Sequence, residues 1–220
     1  MTMLMEQERN DIVAYGNRLL AEGLTMATSG NISIYDPETG YMAISPSGIP
    51  YADTRPEDVV IMKLDGTIVD GTAKPSSEHD LHAVFYRLRK DARAVVHTHS
   101  MFCTTLATMG EPLRAVHFIL TAAGVDTIPI APYYTYGTPE LAHAVEESLG
   151  DKSRAVLLAN HGLVTFGDSI KSAYDLASNC EWCAELQWRC MAAGTPNILT
   201  HEQMQDATEH FKTYGQNKED

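Results

Sequence analysis

The polar and apolar positions near the start of the chain repeat at helical spacing. In "ERNDIVAYGNRLLAEGL", Ile12, Tyr15, Leu19 and Leu20 recur every three or four residues, and Gly23 follows them. Residues with this spacing share one face of a helix, and glycine is common just after a helix ends. The segment therefore predicts an amphipathic helix that ends at Gly23.

A second amphipathic pattern lies in "SSEHDLHAVFYRLRK". Leu81, Val84, Phe85 and Leu88 fall on one helical face, and Ser77 stands before them. A serine hydroxyl can accept a hydrogen bond from the first free amides of a helix. We therefore expect a helix capped by Ser77 and buried along the four apolar side chains.

Three further helices are predicted in the second half of the chain. "GTPELAHAVEESLG" has Thr138 as a cap and Pro139 in the first turn, a pairing that suits a helix start. A long pattern follows, roughly Ser169–Ala193. Thr200 and Gln203 have the spacing of a capping box that opens the last helix.

Other segments show the composition of strands. "NISIYD" and "YMAIS" alternate, and "DVVIMKLDGTIVDG" consists of two β-rich runs around Asp65-Gly66, which is a strong hairpin signal. "RAVVHTHS" predicts one strand. "RAVLLANHGLVTFG" predicts two short strands separated by Asn160-His161-Gly162.

Helices and strands thus alternate along the chain, but with a hairpin included. This order favours an α/β fold in which a mixed or largely antiparallel sheet is covered by helices. Low-complexity segments, internal repeats and Pro/Ser linkers are missing from the sequence, so we expect one domain over residues 1–220.

Composition narrows the classes of partner. No apolar run approaches the roughly 18–20 residues that cross a membrane, and charged residues occupy the place of a secretory apolar core. We therefore expect a soluble cytoplasmic protein without a membrane partner. A net charge of −13 argues against nucleic acid, although a small phosphate ester can still be bound locally.

Three histidines form the main candidate for metal chemistry. His97 and His99 stand two apart on a predicted strand, so both imidazoles project from the same face. His161 lies on a tight turn beside Gly162, where it could be a third ligand. Each also has a simpler interpretation as an exposed or hydrogen-bonded histidine.

Glu78 lies in the first turn of a predicted helix, where a carboxylate either serves the chemistry or only favours the helix end. We interpret the remaining histidines as structural or surface residues, because they show no paired spacing: His79, His82, His117, His143, His201 and His210.

Small hydroxyl residues recur at three turns or helix starts: "TSGNIS", "SPSG" and "KPSS". Such segments direct backbone amides and hydroxyls at an anion. None matches a P-loop or a dinucleotide fingerprint, and turns are commonly rich in these residues. Their appearance together with three candidate ligands favours a site for a phosphorylated substrate.

These motifs together resemble the class II aldolase/adducin family. "TSGNIS", "ISPSGIPY", "KPSSEHDLH", "AVVHTHS", "APYYTYGTPEL", "LLANHGL" and "FKTYG" occur in the family's order and spacing, from about Thr28 to Gly215. The resemblance implies a three-layer α/β/α fold with a mostly antiparallel central sheet. It also implies homotetramers with active sites at subunit interfaces.

The resemblance further implies aldol cleavage of a ketose 1-phosphate to dihydroxyacetone phosphate and a short aldehyde. Candidate substrates are L-fuculose 1-phosphate, 5-deoxyribulose 1-phosphate and 5-methylthioribulose 1-phosphate. His97, His99 and His161 would hold a divalent metal, most often Zn²⁺, with Fe²⁺, Co²⁺ or Mn²⁺ as alternatives. Glu78 would lie near the metal as the acid/base carboxylate. Residues matching those that hold the substrate phosphate are Thr28, Gly30, Asn31, Ser47, Gly48, Ser76 and Ser77.

The sequence departs from the family at one position. In aldolases of the family, a tyrosine of the neighbouring subunit follows an Ile/Val-His pair and donates a proton at the aldehyde oxygen. In this chain, "AVHFILTAAG" has Phe118 at that position. Tyr136 stands where those aldolases have phenylalanine, and Tyr214 matches a family tyrosine. We expect Tyr136, Tyr214 or water to supply the proton.

Three other functions remain open within the fold. A sugar-phosphate 4-epimerase and a methylthioribulose-1-phosphate dehydratase use similar metal sites, and adducin-like relatives are interaction modules without metal. The presence of all three histidines and Glu78 argues against the last of these.

Overall fold

The computed structural model describes residues 3–211. Its helices are α1 (Glu6–Ala21), α2 (His79–Leu88), α3 (Met101–Met109), α4 (Pro139–Leu149), α5 (Ile170–Ala193) and α6 (His201–Phe211), with 3₁₀ helices at Pro56–Asp58 and Phe118–Ala123. Its strands are β1 (Asn31–Asp36), β2 (Tyr41–Ile44), β3 (Val60–Lys63), β4 (Ile68–Asp70), β5 (Ala94–Thr98), β6 (Leu113–Arg114), β7 (Thr127–Ile128), β8 (Ile130–Ala131), β9 (Ala155–Leu158) and β10 (Gly162–Gly167).

Eight strands form one sheet in the order β4-β3-β2-β1-β5-β10-β9-β8. All neighbours in it are antiparallel except β8 and β9. Strands β6 and β7 pair separately. The expectation of a mostly antiparallel central sheet is confirmed.

Helices cover both faces of this sheet, and each face has its own apolar core. On one face, α1, α3, α5 and α6 pack through side chains such as Ile12, Leu106 and Tyr174. On the other face, α2 and α4 pack through Phe85 and Val145. Successive residues of a strand feed the two cores in turn, as a pleated sheet requires. The three-layer α/β/α arrangement follows.

The predicted helix starts are confirmed for α4, α5 and α6. Thr138 accepts the amide of Leu141, and Ser169 accepts that of Ser172. The amide of Thr200 donates to Gln203, whose own amide donates to the Thr200 hydroxyl. The Asp65-Gly66 hairpin also forms, between β3 and β4.

Two expectations for α2 are wrong. Ser77 is not its cap, because the helix begins at His79 and Glu78 occupies the capping position without a side-chain cap. The chain instead makes a turn in which the Ser76 hydroxyl accepts the Glu78 amide at 3.2 Å. Leu88 is 43% exposed, because it lies in the last turn, at the end of the helix.

Helix α3 is an element that the apolar pattern did not predict. It follows β5 directly, with Ser100 before its first residue and Gly110, at φ 71°, after its last. Within the described chain, none of the helices combines the length and the apolar composition needed to cross a bilayer.

Candidate active site

His97 lies at the buried bottom of the site. It lies on β5 directly opposite Asn31 of β1 and Val164 of β10, and it has no exposed surface. Its Nδ1 lies 2.9 Å from the carbonyl oxygen of Leu163. A carbonyl can only accept, so Nδ1 carries the proton and the lone pair of Nε2 points away from it.

His99 and His161 converge on that same lone pair. Their Nε2 atoms lie 3.0 and 3.2 Å from Nε2 of His97. Ligands of one tetrahedral ion with bonds of 2.0–2.1 Å would stand about 3.3 Å apart. The predicted set of three imidazoles is therefore brought together at the spacing of a shared metal ion.

A tight turn between β9 and β10 presents His161. Asn160 has a left-handed φ of 55°, a conformation that asparagine tolerates better than most residues. Gly162 lies so close to the Thr98 carbonyl that a Cβ would clash there, and that Cβ would also be 3.3 Å from the His99 ring. The backbone thus needs glycine to bring the two histidines together.

The three imidazoles are held in their neutral form. Burial lowers the pKa of His97 well below its usual 6.5. Burial also lowers the pKa of His99 and His161, and both of these residues are only partly exposed. Neutral imidazole is the form that binds metal, so the site is prepared for a cation at neutral pH.

Glu78 brings a negative charge to these histidines. Its carboxylate is 6% exposed, with Oε2 3.4 Å from Nε2 of His97 and Oε1 3.5 Å from Nε2 of His161. Oε1 has no hydrogen-bond partner among residues 3–211. A buried carboxylate beside three neutral imidazoles lacks a counter-charge, so a divalent cation fits the donor set.

Asn31 contacts the carboxylate rather than standing free in the cleft. Its Nδ2 donates to Oε2 of Glu78 at 2.9 Å, and the residue is 6% exposed. The prediction of Asn31 as a phosphate-binding residue remains untested, and its side-chain amide is already engaged.

A cleft of about 440 Å³ joins the acidic and histidine end to a hydroxyl-rich end. Glu78, His99 and His161 line it, above the buried His97. The predicted phosphate-binding residues line it as well: Thr28, Gly30, Asn31, Ser47, Gly48, Ser76 and Ser77.

Two glycines bring separate segments of this cleft into contact. A Cβ on Gly30, at φ 73°, would lie 2.9 Å from the His97 carbonyl. A Cβ on Gly137, at φ 69°, would lie 2.9 Å from the Ser77 carbonyl. Only glycine accommodates both the positive φ and the close approach. The loop that carries Tyr136 is thereby packed against the serines at the start of α2.

The predicted proton donors differ in position. Tyr136 lines the cleft and is 67% exposed. Phe118 does not line it and packs instead against Phe211, with ring centroids 5.8 Å apart. Tyr214 lies outside the described residues.

Some residues of the site were not identified from the sequence. Tyr133 and Tyr134 line the cleft beside Tyr136, and their sequence signal was a run of aromatics in a loop. His82 is buried behind the cleft and contacts Asn31. Neither local spacing nor a motif could reveal this contact, because Asn31 and His82 come from distant elements.

Known proteins are similar to this chain in sequence and in fold. The sequence model of the Class II Aldolase and Adducin N-terminal domain matches residues 10–188. A 5-deoxy-D-ribulose 1-phosphate aldolase of Bacillus thuringiensis serovar kurstaki is 46% identical, over 97% of this chain and 100% of its own. A 5-methylthioribulose-1-phosphate/5-deoxyribulose-1-phosphate aldolase of Rhodospirillum rubrum is 40% identical, over 95% and 93%.

A solved structure extends the comparison to three dimensions. An L-fuculose 1-phosphate aldolase superposes with a TM-score of 0.91 at 36% identity, covering 96% of this chain and 98% of that one. The match therefore extends over nearly the whole fold, including the sheet and the helices on both faces. With the three-histidine cleft in place, this chain belongs to the class II aldolase and adducin family.

Proposed function

We propose that this protein is a metal-dependent aldolase that reversibly cleaves a ketose 1-phosphate to dihydroxyacetone phosphate and a short aldehyde. One observation carries the proposal: a single cleft holds three neutral imidazoles and Glu78 at one end and hydroxyl and glycine residues at the other. The first end suits an enediolate, and the second suits a phosphate.

For the substrate we propose 5-deoxyribulose 1-phosphate, which releases acetaldehyde. The support is that relatives at 46% and 40% identity carry this sugar phosphate in their names, and the second name includes 5-methylthioribulose 1-phosphate. L-Fuculose 1-phosphate is the alternative, supported by relatives at 37% identity and by the superposed structure.

The serines and glycines would hold the phosphate. Thr28, Gly48 and Ser77 are exposed at the wall of the cleft, where their hydroxyls or amides can meet an anion. Ser76 is 5% exposed and already accepts the Glu78 amide, so it would shape the turn more than bind. The phosphate would thus anchor C1 at a fixed distance from Glu78.

His97, His99 and His161 would hold the metal, with Glu78 beside them. Zn²⁺ is our proposal, because three imidazole ligands at this spacing suit a tetrahedral ion with an open position. Fe²⁺, Co²⁺ and Mn²⁺ are alternatives with the same donors. A bound divalent cation would supply Lewis acidity that stabilises negative charge on the substrate oxygens.

Glu78 would move the proton at C3. In cleavage the C3–C4 bond breaks, its electron pair remains on C3 and conjugates with the C2 carbonyl, and Glu78 delivers a proton to C3. In condensation the carboxylate removes that proton from dihydroxyacetone phosphate. Glu78 is buried and, among residues 3–211, its Oε1 has no hydrogen-bond partner, so this oxygen is available for the transfer.

The C4 hydroxyl must lose its proton as the aldehyde forms. Tyr136 lines the cleft and is the described phenol we propose for this role, with Tyr214 or water as alternatives. A Tyr136→Phe variant should then lose most of its cleavage rate. An unchanged rate would remove Tyr136 from the mechanism while leaving the role of Glu78 intact.

The decisive experiment is an assay for dihydroxyacetone phosphate with the zinc-loaded protein. The three ketose 1-phosphates are supplied separately, and kcat/KM is compared among them. An epimerase would change only sugar stereochemistry, a dehydratase would release water, and an adducin-like module would do neither. Absence of dihydroxyacetone phosphate with every sugar would overturn the proposal.

We also propose a homotetramer with interfacial active sites, acting in the cytoplasm. The support for assembly is the set of large apolar side chains on the surface of the single chain, including Phe118 and Trp182, both 48% exposed. Phosphorylated sugars are cytoplasmic metabolites, which supports the compartment.

A further inference from the structure

His82 lies behind the cleft and is fully buried, one turn of α2 after Glu78. Its Nδ1 is 2.7 Å from the hydroxyl of Ser33 on β1. Its Nε2 contacts Oδ1 of Asn31 on the same strand. The sequence pattern favours a structural role for His82, but its contact with Asn31 leads directly to the carboxylate of Glu78.

The donors and acceptors in this chain of contacts can be assigned from one end. Ionised Glu78 can only accept, so Asn31 must turn its Nδ2 toward Oε2. Its Oδ1 then faces His82, whose Nε2 must carry the ring proton. Nδ1 of the neutral ring therefore accepts from the Ser33 hydroxyl.

Tyr86 completes the chain at its far end. Its hydroxyl lies 2.7 Å from Oγ of Ser33 and 3.0 Å from the Ser33 carbonyl. Since the Ser33 proton is used on His82, Tyr86 is the donor, and its single proton is shared between the Ser33 hydroxyl oxygen and the Ser33 carbonyl. Each hydrogen bond from Tyr86 onward thus points toward Glu78, and all members are buried.

The orientation of the Asn31 amide depends on this order. If the amide turned over, its carbonyl oxygen would face the carboxylate and its NH₂ would face an N–H of His82. Both contacts would be repulsive. Burial also lowers the pKa of His82 to about 3, so the ring remains neutral and keeps one acceptor for Ser33.

We propose that His82 is a positioning residue for the proton transfer at C3. Through Asn31 it holds Oε2 of Glu78 in place and leaves Oε1 as the oxygen that exchanges the proton with substrate. This inference rests on the proposed function, because it assumes that Glu78 is the acid/base group.

The test is solvent deuterium exchange at C3 of dihydroxyacetone phosphate, which requires only the step assigned to Glu78. The full-length zinc-loaded protein is compared with His82→Gln and His82→Asn. A glutamine amide reaches the position of Nε2 and can still donate to Asn31, whereas an asparagine amide reaches only the position of Nδ1. His79→Asn, a partly exposed neighbour on α2, is the matched control.

We expect His82→Asn to lower the maximal exchange rate by about ten- to a hundredfold, with KM for dihydroxyacetone phosphate and zinc content unchanged. His82→Gln should remain within about threefold of the parent, since the donor that orients Asn31 is kept. His79→Asn should exchange at the parental rate. Equal rates for His82→Asn and His82→Gln, in folded proteins, would overturn the inference.

Two measurements keep the test decisive if His82→Asn does not fold. Nitrogen-15 NMR of the parent protein should show His82 as the tautomer protonated at Nε2, and the opposite tautomer would contradict the inference. Ser33→Ala should also slow exchange, because Nδ1 loses its donor. Glu78→Gln tests the foundation separately: retained exchange there rejects the proposed function, whereas lost exchange with a normal His82→Asn protein rejects the inference alone.

Discussion

His82 and His97 are the two imidazoles at the site that have no exposed surface. Burial lowers the pKa of His82 from 6.5 to about 3 and holds the pKa of His97 well below 6.5. In the unfolded chain both would titrate near 6.5. At a pH between the unfolded-state pKa and the lower folded-state pKa, each imidazole binds a proton in the unfolded chain but not in the folded one. The free energy of unfolding must therefore fall as pH falls below 6.5.

This gives a prediction for the metal-free protein. Urea unfolding between pH 7.5 and 4.5 should show stability falling with acid, and His82 should contribute up to about 1.4 kcal/mol per pH unit. His82→Gln has no titratable group there, so its stability should fall less steeply by one proton's share. The carboxylates contribute equally to the pH dependence of both proteins, so their contribution cancels in the difference between the two curves. Parallel curves would show that His82 does not remain neutral in the fold.

At the scale of single residues, the sequence predicted the three histidines and Glu78 but not His82, which contacts Asn31 behind them. The HxH spacing, the Asn-His-Gly turn and Glu78 pointed to residues that the structure brings within hydrogen-bond or ion-pair distance. Their catalytic roles stay predictions. His82 could not be found, because its partners Asn31 and Ser33 come from β1, and pairing of a strand with a distant helix leaves no local pattern.

The turn between β9 and β10 determines where His161 meets His99. Gly162 begins β10 with the Thr98 carbonyl against the position of a Cβ. Gly162→Ala should therefore push β10 away from the end of β5 and separate the two histidines. We expect zinc affinity to fall by at least about tenfold, because tetrahedral sites tolerate little displacement of a ligand.

Calorimetric zinc titration measures this effect, and Gly194→Ala is a suitable control. Like Gly162, Gly194 lies outside the left-handed region, but nothing lies within 4 Å of its Cβ position. That variant should add the same methyl group without displacing a histidine. Equal zinc affinity in the parent protein and the Gly162→Ala protein would show that β10 moves without affecting the ligands.

The start of α2 separates two serines that the sequence could not distinguish. Ser77 is exposed in the cleft, whereas the buried Ser76 accepts the Glu78 amide. Ser77→Ala should raise KM for the sugar phosphate by about tenfold with little change in kcat, as loss of a hydrogen bond to a charged group would give. Ser76→Ala should lower kcat as well, because the turn holding Glu78 loses its support. Steady-state kinetics distinguish the two outcomes.

Most elements could be predicted from periodicity, and the errors have physical causes. Ser77 is not the cap because the Ser76 hydroxyl accepts the Glu78 amide in a turn, and the helix begins one residue later than expected, at His79. Leu88 failed as a core residue because it lies at the helix end. Helix α3 has only nine residues and is separated from β5 by two residues, so it is too short to show a clear helical period of apolar positions.

At the scale of the whole molecule, the position that the family resemblance places in an active site, Phe118, lies outside this chain's own cleft. The resemblance assigns the Phe118 position to the active site of a neighbouring subunit, and in the single chain Phe118 indeed lies apart from the histidines. Its ring is 48% exposed and packs against Phe211, beside His117. An exposed aromatic cluster of this kind suits contact with another copy of the chain. The expectation of one domain over 1–220 likewise remains a prediction.

Assembly can be tested by changing that surface. Light scattering after size-exclusion chromatography should give about four times the 24.2 kDa chain mass for the parent protein. Phe118→Glu should lower the mass toward that of smaller species, because a charge would be buried at the contact. Its kcat should fall with the mass if the neighbour completes the site. Leu88→Glu, on the opposite layer, introduces the same charge at a similarly exposed side chain and should remain tetrameric. A parent protein that elutes as a fully active monomer would show that one chain's cleft is sufficient.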